Sequence, residues 1–130
     1  MNATYSAILR RTAAPWGIVL PADRLLDDAD VPRPVVVERL HWSTVNWQRC
    51  DIELVTLNGL WSFALSVADT HCGGGFDAFL KFCEPVATRD AALAAAVAYI
   101  RSLDAHPPSP QLAAWLRSIE PTQQLSLFAL

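Results

Sequence analysis

Val55-Thr-Leu-Asn58-Gly59-Leu60-Trp61-Ser-Phe63-Ala-Leu65-Ser-Val67-Ala68 is the stretch that decides how the rest of this chain is read. Asn58-Gly59 is the dipeptide that most readily supplies the two positive φ angles of a type I′ turn, and residues of high strand propensity flank it on both sides. The stretch therefore predicts a tight hairpin. Along its second arm Trp61, Phe63, Leu65 and Val67 alternate with Ser62, Ala64, Ser66 and Ala68, so one face is bulky and the other small. The bulky face is expected to pack on a helix.

Working outward, Val35 to Leu40 and Ile52 to Leu57 are short and rich in branched residues, with a polar break from Asn46 to Asp51 between them; both read as strands. After the hairpin, Gly73-Gly74-Gly75 within Asp69 to Asp77 reads as a flexible connection, followed by a further strand from Ala78 to Cys83 that Pro85 stops. Thr88 is the expected N-cap of a helix running from about Arg89 to Leu103, with Asp90 well placed for the helix dipole and Leu93, Val97 and Ile100 on one stripe. Pro107-Pro108-Ser109-Pro110 forms a stiff linker to a short amphipathic helix, Gln111 to Ile119, carrying Leu112, Trp115, Leu116 and Ile119. Pro121 ends it, and Thr122 to Leu130 is a terminal tail. In residues 1–33, Trp16 to Leu20 reads as a short strand and Ala22 to Asp30 as a short acidic helix before Pro32 and Pro34. The expected class is α+β: a small antiparallel sheet with a long alanine-rich helix on one face, a short C-terminal helix and a tail. Its parts are an N-terminal segment (1–33), a sheet-and-helix core (34–106), and a linker, helix and tail (107–130).

Composition narrows the function. The 130 residues fit one domain, and 52% hydrophobic content with a mean hydropathy of +0.23 excludes intrinsic disorder. Ten basic against thirteen acidic residues give a net charge of −3, and Lys81 is the sole lysine, so no dense basic stripe exists for phosphates and direct nucleic-acid binding is not expected. The longest apolar run, Ala91 to Ile100, is about half of the roughly 20 residues a membrane span needs, and the N-terminus does not have the charge order of a signal peptide. A cytosolic protein that does not enter a membrane is expected. Three cysteines, Cys50, Cys72 and Cys83, at irregular spacing read as free thiols.

One pentapeptide carries specific chemistry. Gln124-Leu125-Ser126-Leu127-Phe128 matches, position for position, the Gln-Leu-(Ser or Asp)-Leu-Phe peptide of bacterial proteins that bind the DNA polymerase sliding clamp, and over these five residues the chain resembles that family. The resemblance implies that Leu127 and Phe128 fill a deep apolar subsite on the clamp, Leu125 a neighbouring one, and that Gln124 hydrogen-bonds at the rim. Burying three such side chains supplies about 5–9 kcal/mol gross, from which ordering the tail subtracts a few, so affinity on the order of micromolar or weaker is expected. Terminal position suits display of such a peptide. The competing interpretation is a last edge strand, since Leu125, Leu127, Phe128 and Leu130 have the spacing of a partly buried β segment. Over Ile52 to Leu103 the chain also loosely resembles the β-β-β-α arrangement of double-stranded-RNA-binding-like domains and of the small sheet modules that precede phage-type integrases, without most of the basic residues those modules use.

Other constellations are weaker. His71-Cys72-Gly73-Gly74-Gly75 is similar to the glycine-rich oxyanion loops of some esterases, but no Gly-x-Ser-x-Gly accompanies it. Cys50, His71, Cys72 and Cys83 lack the spacing of a zinc site. A thiol–base pair of Cys50 and His41 is a remote alternative. Among the aromatics, Trp42 and Trp47 sit beside polar residues and form a possible secondary interaction patch, whereas Trp61, Phe63, Phe76, Phe79 and Phe82 are expected in the core. Asp23, Asp27, Asp28 and Asp30 read as a solvated helix face. The expectation is a non-enzymatic adaptor or inhibitor, without cofactor or metal, that binds the sliding clamp in replication or repair and is encoded by a phage or plasmid. The alternative is a mobile-element inhibitor or immunity-type protein that binds a host nuclease or restriction system through its folded domain.

Overall fold

The computed structural model describes residues 3–69, 73–80, 83–103 and 107–121. In chain order they form helix α1 (Ala3–Ala13), 3-10 turns at Ala14–Trp16 and Asp28–Asp30, strands β1 (Val35–Ser43), β2 (Arg49–Leu57), β3 (Leu60–Ala68) and β4 (Gly73–Phe76), and helices α2 (Arg89–Arg101) and α3 (Pro110–Ile119). The fold is α+β, with one antiparallel meander ordered β1-β2-β3-β4.

The predicted hairpin sets the register. Asn58 and Gly59 adopt φ of 53° and 78°, as a type I′ turn requires, and Leu57 pairs with Leu60. Opposite residues in an antiparallel pair share a face. Cys50, Ile52 and Leu54 therefore lie beside Val67, Leu65 and Phe63, and continue across β1 into Trp42 and Leu40. This is the bulky face, and it packs as expected on α2 and α3 through Leu93, Val97, Ile100, Leu112 and Leu116. Thr88 caps α2 by accepting from the Ala91 amide at 3.1 Å, and Ser109 caps α3 by accepting from the Leu112 amide. Arg89 grips Glu38 of β1 with two bonds of 2.8 and 2.9 Å, and Arg101 grips Glu120 in the same way, so each end of α2 is tied to a neighbour.

Two expectations for the chain after the hairpin need correction. The glycine triplet is strand β4 rather than a flexible connection: Gly73, Gly74 and Gly75 pair with Ala68, Val67 and Ser66. A Cβ on Gly75 would stand 2.1 Å from the Leu65 carbonyl oxygen, so glycine is there because two backbones come too close for any side chain. The strand expected over Ala78 to Cys83 does not form in its described residues, 78–80 and 83; Lys81 and Phe82 lie outside the described residues. Instead Val86 makes an isolated bridge to Trp61.

The leading segment holds the other corrections. Trp16 ends a 3-10 turn and Gly17 to Leu20 continue as irregular chain, and Ala22 to Asp30 contains only one 3-10 turn. The aspartates are not a bare solvated face, because Asp27 and Asp30 close a capping box, Asp30 pairs with Arg24, and Asp28 accepts from Tyr5. Residues 3–13 form a helix whose inward side is Ser6, Leu9 and Ala13. With Trp16, Leu20, Leu26, Leu80 and Cys83 it builds a second hydrophobic cluster that closes on Leu57 and Leu60 at the hairpin end. Asn58 Nδ2 donates to the Trp16 carbonyl at 2.7 Å, fastening the turn to this cluster.

Candidate functional site

The two places where β3 finds a partner on its outer side leave a gap. β4 pairs from Leu65 onward, and the Val86 bridge sits at Trp61, so Ser62, Phe63 and Ala64 lie between the two attachments. Over this gap α2 presents Ala95, Ala98, Tyr99 and Ser102, and the space between is an open groove of about 1020 Å³. Its volume is at the upper end of what small-molecule sites show.

Three aromatics from three elements wall the groove. Phe63 of β3, Phe76 of β4 and Tyr99 of α2 have centroids 5.4, 5.5 and 6.0 Å apart, tilted or edge-on in every pair, which is the favoured quadrupole arrangement. Small alanines beside Tyr99 keep the floor low. Tyr99 is 40% exposed, an unusual position for an aromatic on an otherwise alanine-rich helix. Beneath it lie Ser62 and Cys83. The Cys83 thiol donates to the Phe63 carbonyl at 3.3 Å, and burial pushes its pKa up to about 11, which the neighbouring Ser62 hydroxyl offsets only in part. Although that hydroxyl lies close enough to act on the thiol, it completes no hydrogen bond of good geometry and is buried. A thiol protonated to such high pH is a poor nucleophile, so the groove is suited to binding apolar groups rather than to thiol chemistry. Among the described residues, exposed Glu84 is the one charged residue lining it.

The sequence-derived sites fall as follows. Gln124, Leu125, Ser126, Leu127 and Phe128 lie outside the described residues, as do His71 and Cys72. Trp47 is 62% exposed and stands in the β1–β2 loop with fully exposed Val45, whereas Trp42 is half-buried against the main core, so the two do not make one equal patch. Cys50 is fully buried in the main cluster and Cys83 belongs to the second, so they serve no common metal site. Among the described residues no group of three His, Cys, Asp or Glu is placed to hold a metal. His41 faces away from Cys50: it pairs with Asp51 at 2.5 Å on the polar face, beside an Arg39–Glu53 ion pair of 2.8 Å. Opposite charges meet on this face, which makes it a poor phosphate-binding surface. Phe79 lies under the Arg33 guanidinium, 4.1 Å from the ring centre. Among the described residues no helix is long and apolar enough to cross a membrane.

The aromatic groove was not foreseen from the sequence. Tyr99 carried its one signal, an aromatic four residues after Ala95 and off the Leu93–Val97–Ile100 stripe. Comparison with protein-family models, curated proteins and solved structures finds no match to this chain.

Proposed function

We propose that this protein is a non-enzymatic adaptor or inhibitor that engages the bacterial DNA polymerase sliding clamp through Gln124 to Phe128, acting in DNA replication or repair. The observation that carries the proposal is the pentapeptide itself, complete at all five positions and placed beyond Pro121, after helix α3. In this mode an extended peptide places apolar side chains in a preformed groove, and the pockets discriminate by shape. Such a tail either blocks the groove that polymerases use or brings the folded domain to replicating DNA.

Fluorescence competition against a labelled clamp-binding peptide tests the proposal. Full-length protein is expected to displace the peptide at micromolar concentration, and Leu127→Ala with Phe128→Ala to weaken displacement at least 100-fold while leaving the melting temperature unchanged. Failure of the unmodified protein to displace the peptide at 100-fold excess refutes clamp binding. Unfolding of the double variant refutes the free-tail interpretation in favour of a packed strand.

A second interpretation, docking of the folded domain on a host nuclease or restriction protein, draws support from the exposed Val45–Trp47 loop. Large exposed apolar residues at a loop tip are typical of contact surfaces. Trp47→Ala is expected to abolish activity in that case and to leave clamp displacement untouched.

A further inference from the structure

The groove beside α2 and the last nine residues suit each other chemically. Its walls are aromatic and aliphatic, and Thr122 to Leu130 carry no charged side chain and include Leu125, Leu127, Phe128 and Leu130. The paired Arg101 and Glu120 hold the root of the tail against the last turn of α2, next in sequence to Ser102 at the groove's end. At about 100° per residue, Arg101 lies roughly a third of the way around α2 from the groove-lining Ala95, Ala98, Tyr99 and Ser102. Phe128 is seven residues beyond Pro121 and, extended, reaches about 23 Å. A helix with its side chains is about 10–12 Å across, so the tail is long enough to pass over α2 and enter the groove.

We infer that the groove is the intramolecular berth of the chain's own tail, with Leu127 and Phe128 seated against Phe63, Phe76 and Tyr99. The contact is a property of the free protein and needs no clamp; its regulatory consequence alone rests on the clamp proposal. A short tether holds the tail at about millimolar effective concentration, so even a weak groove is partly filled. The same two side chains then have two alternative hosts. Occupation of the groove lowers apparent clamp affinity by the fraction of protein whose tail is withdrawn.

Nuclear Overhauser contacts in the full-length protein, with no clamp present, test the berth. Contacts from the Phe128 ring to the Ala95 and Ala98 methyl groups are expected, and are expected to vanish in Tyr99→Ala, a surface substitution that removes one wall. Absence of these contacts in the unmodified protein overturns the inference. Contacts that fade on dilution also overturn it, because they then come from the tail of a second copy. Clamp titration supplies the separate arm: with half to nine-tenths of the tail berthed, Tyr99→Ala tightens clamp binding about two- to tenfold. Berth contacts without clamp binding uphold the berth and refute the clamp proposal; clamp binding without berth contacts does the reverse.

Discussion

The sheet from Val35 to Phe76 and the leading segment from Ala3 to Asp30 both bury an apolar side, but different devices hold them. In the sheet the inward sets follow from alternation and from a β2–β3 register that runs without a slip from Leu57↔Leu60 to Arg49↔Ala68, with one irregularity between Val36 and Glu38 where β1 meets β2. The leading segment has one helix, two single turns and long irregular stretches, and is fastened by side chains that reach backbone atoms. Arg10 donates to the carbonyls of Pro21 and Arg24, Ser6 accepts the Leu26 amide at 2.8 Å, and Trp16 Nε1 donates to the Cys83 carbonyl. Irregular chain near a core must satisfy its backbone by such individual contacts, because no ladder does it. The two regions should accordingly fail in different ways when perturbed.

The largest effect is expected in the leading segment. Trp16 is wholly buried at the centre of the second cluster, so Trp16→Ala should cost about 3–5 kcal/mol by urea denaturation, as much as a large residue of the sheet core. A cost under about 1 kcal/mol would show that residues 3–30 are an appendage and break the equivalence of the two clusters. Next, Gly75→Ala should cost about 3 kcal/mol or more, because its Cβ would collide with the Leu65 carbonyl and β4 must detach. Hydrogen exchange localises that loss to the β3–β4 pair, with the leading segment unaffected.

A pH effect of about 2 kcal/mol should arise where the two regions meet. The folded Cys83 thiol titrates near 11 because it is buried, whereas an unfolded thiol titrates near 8.5. The folded state thus favours the protonated form: its full contribution is present below about pH 8.5 and is lost as pH rises toward 11. Urea midpoints at pH 8 and 10.5 check this, and Cys83→Ala should flatten the difference.

Smaller changes sharpen the contrast between contact types. Ser6→Ala removes the buried acceptor of the Leu26 amide and should cost about 1–3 kcal/mol, since that N–H is then left unsatisfied. Thr88→Ala, the loss of an ordinary helix cap on the sheet side, should cost about 1 kcal/mol. The partly exposed Arg89–Glu38 pair contributes less, and that contribution fades in acid. Arg89 holds the Glu38 carboxyl below its usual range, so the stability is present above the unfolded carboxylate pKa and is lost as pH falls through the folded one.

Legibility followed the same division. Asn58-Gly59, the Trp61-to-Val67 alternation, Thr88 with its helix, and the Leu112–Leu116 face were readable because each signal lies within a few residues and repeats with the period of its element. Helix α1 was not, because its buried side is Ser6, Leu9 and Ala13, too small and polar to stand out as an apolar stripe. β4 was misread because three glycines look like a flexible linker until a neighbouring backbone is brought within contact distance. Gln124 to Phe128, on which the clamp proposal rests, was legible as a contiguous string. The groove was not, since Phe63, Phe76 and Tyr99 come from three elements and acquire a common purpose only when α2 lies across the sheet.

The amino-acid sequence by itself determined the hairpin, the inward face of β3, helix α2 with its Thr88 cap and the amphipathic helix α3, because local sterics and side-chain periodicity act over a turn or a strand. The tertiary structure alone decided that the first thirty residues close a second core, that glycines build an edge strand, and that an aromatic groove opens beside α2. Those outcomes depend on which distant backbones approach one another, a relation that no window of sequence contains.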